Sequence, residues 1–255
     1  MTVSIITVVY NGADTIAEAI ESVLGQTYPD IEYIIIDGAS TDGTQAIVAG
    51  YGKRISQFVS EPDQGLYDAM NKGIQRATGD IIGILNADDL YRHPDVISRI
   101  VDQFNQHQAD AVYGDLVYAQ RDAPDRVMRY WQAGTYKPGA FLRGWMPPHP
   151  TFFVRASVYK QHGYFTTSLR SAADYELMLR FVHKHQIQVA YLNEVVVVMR
   201  LGGVSNSSFL NRLRANKEDR VAWQMNAIRP GWFTLWLKPL RKIGQFWQRD
   251  QPTVR

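Results

Sequence analysis

Short hydrophobic runs rich in β-branched residues alternate with segments of helical periodicity along the first part of the chain. The run from Val3 to Tyr10 is too short for a free-standing helix and is typical of a strand buried on both faces. Thr15 and Glu18 match a capping box, and the apolar residues that follow them recur at helical spacing. The pattern predicts a strand, a turn and a helix as the first unit.

Two further buried strands are predicted, from Ile31 to Asp37 and from Asp80 to Asp89. Between them lie a short helical pattern over residues 45–51 and a longer one whose apolar face contains Leu66, Met70, Ile74 and Ala77. Alternating strands and helices with short connections predict an α/β fold with an open, mostly parallel sheet and helices on both faces. Right-handed crossovers would place the carboxyl ends of these strands at one edge.

Acidic residues gather at that predicted edge. Asp37 ends the second strand, Asp88 and Asp89 end the third, and Asp63 lies in a loop. A single aspartate at a strand end is commonly a helix cap or a turn former. Several at one edge favour a hard cation, which takes oxygen ligands from carboxylates and from substrate phosphates, and open α/β sheets bind ligands there. The pattern therefore favours a nucleotide substrate.

The later part of the chain has a mixed pattern. "DAVYGDLVYA" predicts a strand pair or hairpin, "DYELMLRFVHKH" an amphipathic helix, and "IQVAYLNEVVVVMRL" one or two strands. Residues 1–215 are predicted to form a single domain, with a Rossmann-like nucleotide-binding half over 1–110. Residues 111–215 would build the acceptor side of the crevice, and residues 216–255 would form a C-terminal tail.

Several classes of protein are disfavoured by missing motifs. The turn after the first strand, "YNGADTI", contains neither G-x-G-x-x-G nor a P-loop, so the nucleotide must be held in another way. The 255 residues include no cysteine and no H-E-x-x-H, which excludes disulfides and makes zinc chemistry a poor hypothesis. A basic leader and a long apolar run are also missing, so we expect a cytoplasmic protein.

Three separated blocks carry a family resemblance. They are "SIITVVYNGADTIAEAIESVLGQTYPDIEYIIIDGASTDGT", "GLYDAMNKGIQRATGDIIGILNADD" and "HPTFFVRASVY...AADYELMLR". Together they resemble the family-2 inverting glycosyltransferases of the GT-A fold, of the kind that builds bacterial surface polysaccharides such as exopolysaccharide and lipopolysaccharide. The resemblance covers roughly residues 2 to 205, in the right order.

The resemblance implies a binding site for a nucleoside-diphosphate sugar, most simply UDP- or GDP-linked. Asp37 would contact the base or the ribose. The end of the first strand, around Thr7, Val8 and Tyr10, would line the base pocket. Asp63 would contact the ribose or the donor sugar.

The resemblance also implies a divalent metal, Mn²⁺ or Mg²⁺. The family's D-x-D motif falls on Asn86, Ala87 and Asp88, and Asp88 is the expected ligand of a cation that bridges the diphosphate. Asn86 departs from the commoner aspartate. An asparagine can still donate and accept hydrogen bonds, but it supplies less charge to the cation.

The catalytic base implied by the resemblance is Asp174, at the start of the helix predicted from "DYELMLRFVHKH". The alternative is that Asp174 only caps that helix. Attack of a sugar hydroxyl on the anomeric carbon needs one group to accept the proton and another to stabilise the leaving diphosphate. Asp174 would do the first and the metal the second, and a single displacement would invert the anomeric configuration.

Two further residues are weaker candidates. Arg200, in "MRLGGVS", could help the metal hold the diphosphate, or the segment could be an ordinary turn after a strand. His149, in "PPHPTFF", stands where these enzymes place an acceptor-side loop, or it could be purely structural.

The C-terminal tail is basic and aromatic. From Arg229 onward it has six basic residues and one acidic residue, within a chain of net charge +2. Drawn as a helix, it carries an apolar stripe of Trp232, Trp236, Leu240, Ile243 and Trp247. This is the composition of a helix at a membrane interface, although the stripe could instead dock on the domain or on another subunit. We expect peripheral association with the inner membrane face, and a glycan or polyprenyl-diphosphate-linked acceptor is implied by the resemblance.

Three hypotheses about function remain. The leading one is an enzyme that transfers a sugar to a glycan or glycolipid. A nucleotidyltransferase should show a basic, glycine-rich loop after the first strand, and "YNGADTIAE" has no cation. The third is a catalytically silent relative that binds a nucleotide sugar or scaffolds a membrane assembly. Nucleic acid is not an expected partner, because the predicted crevice is acidic.

Overall fold

One sheet runs through the computed structural model, which describes residues 1–202, 209–229, 231 and 234, with side chains except at 209–216. Within those residues the sheet has nine strands. They are β1 (Val3–Val9), β2 (Ile31–Asp37), β3 (Gln57–Ser60), β4 (Ile81–Ile84), β5 (Asp89–Tyr91), β6 (Ala111–Gln120), β7 (Ala123–Trp131), β8 (Phe153–Arg155) and β9 (Val189–Arg200).

The strand order is β3-β2-β1-β4-β8-β6-β9-β5, and β7 pairs with β6 outside this path. The three strands predicted in this part, β1, β2 and β4, are parallel, and β3, which was not predicted, extends the parallel set beside β2. The second half is mixed: β8 runs antiparallel to both β4 and β6, and β9 runs parallel to β6. Strands β6 and β7 are antiparallel because a two-residue connection permits no other pairing. The α/β fold class is confirmed.

The helices within the described residues are α1 (Ile16–Leu24), α2 (Thr44–Gly50), α3 (Leu66–Arg76), α4 (Val96–His107), α5 (Ala156–His162), α6 (Ala173–Met178) and α7 (Phe209–Met225). A π-helical segment (Leu179–Lys184) continues α6. Short 3-10 helices cover Gly52–Arg54, Phe141–Arg143 and His149–Thr151.

The helices cover both faces of the sheet, as predicted. Alternate residues of β1 point to opposite faces, because the side chains of a strand repeat every two residues. Ile5 and Val9 pack with α1 and α4, whereas Ile6 and Val8 pack with α3, α5 and α6. The parallel strands therefore lie between two apolar layers, and their polar ends are left at the edge where the candidate site lies.

The acidic end of the third predicted strand folds differently from the prediction. Strand β4 ends at Ile84, and the chain then turns, with Asp89 N donating to Asn86 O at 3.0 Å. A separate strand, β5, begins at Asp89 and pairs with β9. Asp88 thus lies in a turn between two strands rather than at the end of one.

Two local predictions about helices are wrong. Thr15 makes no side-chain capping hydrogen bond at the start of α1, and the Glu18 carboxylate accepts from Arg200 rather than from the Thr15 backbone N–H, which donates to Gly12 O. In α3, Leu66 is 46% exposed, and the adjacent Tyr67 takes the buried position. The buried face of α3 is formed by Tyr67, Ala69, Met70, Gly73 and Ile74.

The predicted boundary between residues 215 and 216 lies inside α7. The described side chains of α7 pack on the domain, and Trp223 is fully buried. The stripe predicted in the tail, from Trp232 to Trp247, lies outside the described residues. No helix in the described part of the chain is long and apolar enough to cross a membrane.

Candidate active site

Asp37 lies at the carboxyl end of β2, and the described residues donate hydrogen bonds to only one of its two carboxylate oxygens. Its Oδ2 accepts hydrogen bonds from Ser40 N at 3.0 Å and from Ser60 Oγ at 2.6 Å. Its Oδ1 is buried and has no hydrogen-bond partner among the described residues. Since buried polar atoms are normally paired, this oxygen is available to accept a hydrogen bond from a ligand.

Two of the predicted residues flank the neighbouring Gly38. A Cβ atom placed on Gly38 would lie 2.5 Å from Asp63 Oδ2 and 3.3 Å from Tyr10 Cδ2. The Tyr10 side chain is 68% exposed, and Asp63 is held by a hydrogen bond from Gly65 N at 2.8 Å. The structure therefore brings Tyr10, Asp37 and Asp63 together at one edge of the sheet.

Thr7 and Val8 do not share that surface. The Thr7 hydroxyl is fully buried and lies 3.0 Å from the Tyr33 hydroxyl, and Val8 is buried in the opposite core layer. Their side chains fill the two faces of β1, because this strand is buried on both sides. They can shape a nucleotide pocket only through the position of the strand.

The turn after β4 carries the residues aligned with the metal motif. Asn86 Nδ2 donates to Asp89 Oδ2 at 3.0 Å, which leaves Asn86 Oδ1 and Asp89 Oδ1 buried without partners among the described residues. Burial, followed by the negative charge of Asp88, raises the pKa of Asp89 well above its ordinary value. Ala87 lies beside Gly12, so this turn adjoins the end of β1.

The oxygen atoms of this turn suit a hard cation but supply few ligands. Within the described residues there is no group of three or more acidic, histidine or cysteine side chains that could hold a metal ion. Asp88 is half-buried, and Asn86 Oδ1 is the neighbouring oxygen without a partner. A Mg²⁺-like ion often takes one or two protein carboxylates and completes its shell with phosphates and water. The donor set fits a cation that arrives with a diphosphate.

Arg200, the weaker candidate for holding the diphosphate, is a buried cation. It ends β9 and is only 2% exposed. Its Nη2 donates to Glu18 in α1, while Nε and Nη1 have no partner among the described residues. The preceding residue, Met199, pairs with Asp89, so the guanidinium lies near the acidic turn. Two N–H groups are therefore available to an anion there.

Asp174 lies in the first turn of α6, where its carboxylate has two partners. Tyr67 Oη donates to Oδ1 at 3.1 Å, and His149 Nδ1 lies 3.3 Å from Oδ2. The residue that precedes the helix is Ala172, and no side-chain capping hydrogen bond is present. The Asp174 carboxylate therefore does not act as a cap of α6, which was the alternative role.

A pocket opens beside this carboxylate. Asp174 and His149 are its polar members, and its apolar lining includes Met70, Ile84, Phe152, Phe165, Leu177 and Met178. Ile84 lies two residues before Asn86, so the pocket approaches the acidic turn. The structure thus brings Asp174 and His149 together in one pocket with Ile84, the last residue of β4.

Tyr67 is the site residue that sequence reasoning missed. Burial and the charge of Asp174 raise its pKa above the ordinary value, so the hydroxyl stays protonated and donates. Its ring stacks on Phe165, with 5.5 Å between centroids. The signal was the spacing of Tyr67 from Met70 and Ile74, which places it on the buried helix face.

Comparisons with known proteins identify the family of this chain. The family model described as "Glycosyl transferase family 2" matches residues 4–166. The chain belongs to this family. A family-2 relative from Mycobacterium bovis, named PGL/p-HBAD biosynthesis glycosyltransferase, is 29% identical over 219 residues, which cover 82% of this chain and 83% of the relative.

Solved structures share the fold of this family-2 chain. The Staphylococcus aureus protein TarS (1–349), in complex with UDP-GlcNAc, has a TM-score of 0.69 at 17% identity. The match covers 89% of this chain, which spans slightly under two thirds, 66%, of that TarS chain. The mannosyltransferase PcManGT from Pyrobaculum calidifontis, in complex with GDP-Man and Mn²⁺, has a TM-score of 0.65 at 20% identity, covering 98% of this chain and 76% of that one. These two likenesses support the GT-A fold for this chain.

Proposed function

We propose that this family-2 glycosyltransferase moves a sugar, with inversion, from a nucleoside-diphosphate sugar to a glycan or lipid-linked acceptor. The observation that carries the proposal is the carboxylate of Asp174, which Tyr67 and His149 hold at one end of a pocket that approaches the acidic turn. A base in a fixed orientation is what single displacement at the anomeric carbon requires.

In the proposed reaction, Asp174 accepts the proton of the acceptor hydroxyl. Tyr67 and His149 each occupy one of its oxygens, and each oxygen keeps a second lone pair for the substrate. The free N–H groups of Arg200 would bind the leaving diphosphate. Asp88 and Asn86 Oδ1 would hold a divalent cation, which when bound neutralises charge on the diphosphate. No covalent intermediate is required.

The donor site is proposed at Tyr10, Asp37 and Asp63. The unpartnered Asp37 Oδ1 would accept a hydrogen bond from the base or the ribose, and Asp63 would approach the ribose or the donor sugar. That TarS was solved with UDP-GlcNAc, and PcManGT with GDP-Man and Mn²⁺, supports a UDP- or GDP-linked donor and a divalent cation.

The donor and the cation can be tested by thermal stabilisation. Melting is measured with UDP, GDP, dTDP and CMP, each with Mn²⁺, with Mg²⁺ and with neither. A nucleotide at about 100 times its dissociation constant should add roughly 2.7 kcal/mol to the free energy of unfolding. A shift that requires metal in the wild type and is lost or strongly reduced in Asp88→Ala supports Asp88 as a ligand. A shift that depends equally on metal in both proteins contradicts it.

A glycan or glycolipid acceptor is supported by the name of the mycobacterial relative, which refers to PGL/p-HBAD biosynthesis. A lipid-linked acceptor would be met at a membrane surface. The basic, aromatic tail supports peripheral association with the inner face of the cytoplasmic membrane, since its Trp residues and cations suit the interface. Binding of the whole chain to vesicles with and without anionic lipid tests this part of the proposal.

The catalytic role is tested with Asp174→Asn. This variant keeps the size of the side chain but removes the base, so transfer should fall by a factor of about 100 to 10,000. Nucleotide binding should stay within twofold of the wild type, because the donor site lies on other loops. Transfer that persists at the wild-type rate would contradict Asp174 as the base.

A second candidate function is a silent nucleotide-sugar-binding or membrane scaffold protein. The observation that favours it is Asn86, which replaces a metal-binding carboxylate of the family's common motif. Such a protein would bind a nucleotide but turn over no donor. Donor hydrolysis and transfer assays on the wild type therefore separate the two functions.

A further inference from the structure

Helix α7 meets α6 around the proposed catalytic base. Trp223 Nε1 donates to Tyr175 Oη at 3.0 Å, and Asn226 Nδ2 donates to Glu176 Oε1 at 2.9 Å. A third contact, from Ser171 N to Glu218 Oε2 at 2.7 Å, holds the segment before α6. The three hydrogen bonds bracket Asp174 along the chain.

The Asn226 contact continues into a buried ion pair. Glu176 is 3% exposed, and Arg180 donates to its two oxygens, with Nε–Oε1 at 2.9 Å and Nη2–Oε2 at 3.0 Å. Arg180 Nη2 also donates to Tyr164 O at 2.6 Å. A buried charged pair is stable only when its remaining hydrogen-bonding capacity is satisfied, so Asn226 completes this network.

The network then returns to the base from the other side. Phe165, which follows Tyr164, is fixed to α3 by two hydrogen bonds with Asn71, at 2.8 and 3.0 Å. Phe165 also stacks on Tyr67, whose hydroxyl donates to Asp174. The contacts thus form a closed circuit from α7 through α6 and α3 back to the same carboxylate.

We infer that α7 is a positioning element of the active site, and that Trp223 and Asn226 act through it as positioning residues for Asp174. This inference rests on the proposed function. Neither residue touches the pocket. Together they fix the first turn of α6 and the loop that supports Tyr67, and these two elements set the direction of the Asp174 carboxylate.

The effect should appear in turnover rather than in donor binding. Displacing a catalytic group by about 1 Å can lower a rate by about 100-fold, whereas the donor loops at Asp37 and Asp63 lie outside the circuit. A helix that merely packed on the domain would change stability and leave turnover per folded molecule unchanged.

The test uses the full chain and a double-mutant cycle. Trp223→Phe removes the indole N–H while keeping a ring in the core, and Tyr175→Phe removes the acceptor. Each single change should lower kcat about tenfold, with the donor KM within twofold of the wild type. The loss of kcat in the double variant should be smaller than the two single losses combined, because both changes remove the Trp223–Tyr175 hydrogen bond. Full additivity would overturn the coupling.

The control is Phe104→Leu, a buried change in α4 on the opposite face of the sheet. It should lower the melting temperature without lowering kcat. If Trp223→Phe lowers the melting temperature similarly and leaves kcat within twofold, α7 is only structural and the inference is wrong.

A second readout separates this inference from the proposed function. Hydrogen exchange at residues 64–72 and 160–180 should be faster in Trp223→Phe than in Phe104→Leu. Unchanged exchange at 64–72 would overturn the circuit. Absence of turnover in the wild type with every donor tested would instead count against the proposed function, and the exchange result would still decide whether α7 is coupled to α3.

Discussion

Tyr67 and Asp174 form the most specific polar pair of the candidate site. The hydroxyl is buried, its pKa is raised by burial and by the Asp174 charge, and it donates to Oδ1 at 3.1 Å. A neutral hydroxyl that donates to a carboxylate orients that carboxylate, and it does not take up the proton that the carboxylate would accept from a substrate. Tyr67 therefore orients the proposed base, Asp174, without being a base itself.

We predict that Tyr67→Phe lowers kcat by about tenfold, since a hydrogen bond to a charged group contributes about 1.5–3 kcal/mol. The phenylalanine ring keeps the stacking on Phe165, so folding should be preserved. Steady-state kinetics with the donor identified by thermal shift provide the measurement. Tyr51→Phe removes a hydroxyl that contacts Ala17 O and should leave kcat unchanged. Equal effects of the two changes would contradict the role of Tyr67.

Gly38 is required by the close approach of Asp63 and Tyr10. We predict that Gly38→Ala weakens nucleotide binding at least tenfold, because a Cβ only 2.5 Å from Asp63 Oδ2 must displace that carboxylate. Calorimetric titration with the selected nucleotide measures the change. Gly50→Ala is the control, since a Cβ there meets no atom within 4 Å and should leave the dissociation constant unchanged.

Single residues were predictable to different degrees. Asp174, Asp37 and Asp88 could be proposed as site residues because a short motif or a strand end marks each of them. Tyr67 and His149 could not be linked to Asp174, since the three lie on separate segments and only the packing of α3 against α6 brings them together. Thr7 and Val8 were assigned through the family resemblance, although the sequence also predicted that β1 is buried on both faces, as it is.

At the scale of elements, helix α3 carries Tyr67 and packs very closely on the sheet. A Cβ on Gly73 would lie 2.4 Å from Ile6 Cγ2, so the helix backbone approaches β1 as only a glycine allows. The distance between this helix and the sheet helps to set the position of the Tyr67 hydroxyl.

We predict that Gly73→Ala lowers the free energy of unfolding by about 1–3 kcal/mol, despite the higher helix propensity of alanine, because the added methyl overpacks the core. Denaturant unfolding gives the change, and kcat should fall as well. Gln75→Ala, at an exposed position of the same helix, should be neutral or slightly stabilising. A stable and fully active Gly73→Ala variant would show that α3 can shift without consequence.

Element boundaries were predicted where local signals are strong. The limits of β2 agree with the prediction, and α2 and α3 agree to within a residue or two. The separate strand β5 could not be seen, because "ILNADDLY" does not reveal that β9 supplies a partner for Asp89–Tyr91. The Glu18 half of the predicted capping box failed for a similar reason: the Glu18 carboxylate accepts from Arg200, which is 182 residues away.

At the scale of the whole molecule, the parallel half of the sheet follows from the local alternation of strands and helices. The mixed half of the sheet depends on pairing between segments that are distant in the chain. Strand β8 inserts between β4 and β6, and no local pattern in Phe153–Arg155 specifies this. The consequence for function is that the carboxyl ends of β1, β2 and β4 still meet at one edge, as the crossover rule requires.

That edge gives a prediction for the whole fold. Binding of the selected nucleotide with Mn²⁺ should slow amide exchange at residues 10–15, 37–44, 61–65 and 86–88. These loops can open and exchange only when the ligand is released. A ligand at about 100 times its dissociation constant adds roughly 2.7 kcal/mol to the free energy of that opening. The loops at the opposite edge, 28–31 and 78–81, open without disturbing the ligand, so their fast exchange should be unchanged. Hydrogen-exchange mass spectrometry measures both edges in one sample, and the second set is the internal control.

Protection confined to residues 28–31 and 78–81 would place the nucleotide at the wrong edge of the sheet. Protection at 10–15 and 37–44 without 86–88 would leave the base and ribose contacts in place and remove the acidic turn from the diphosphate site.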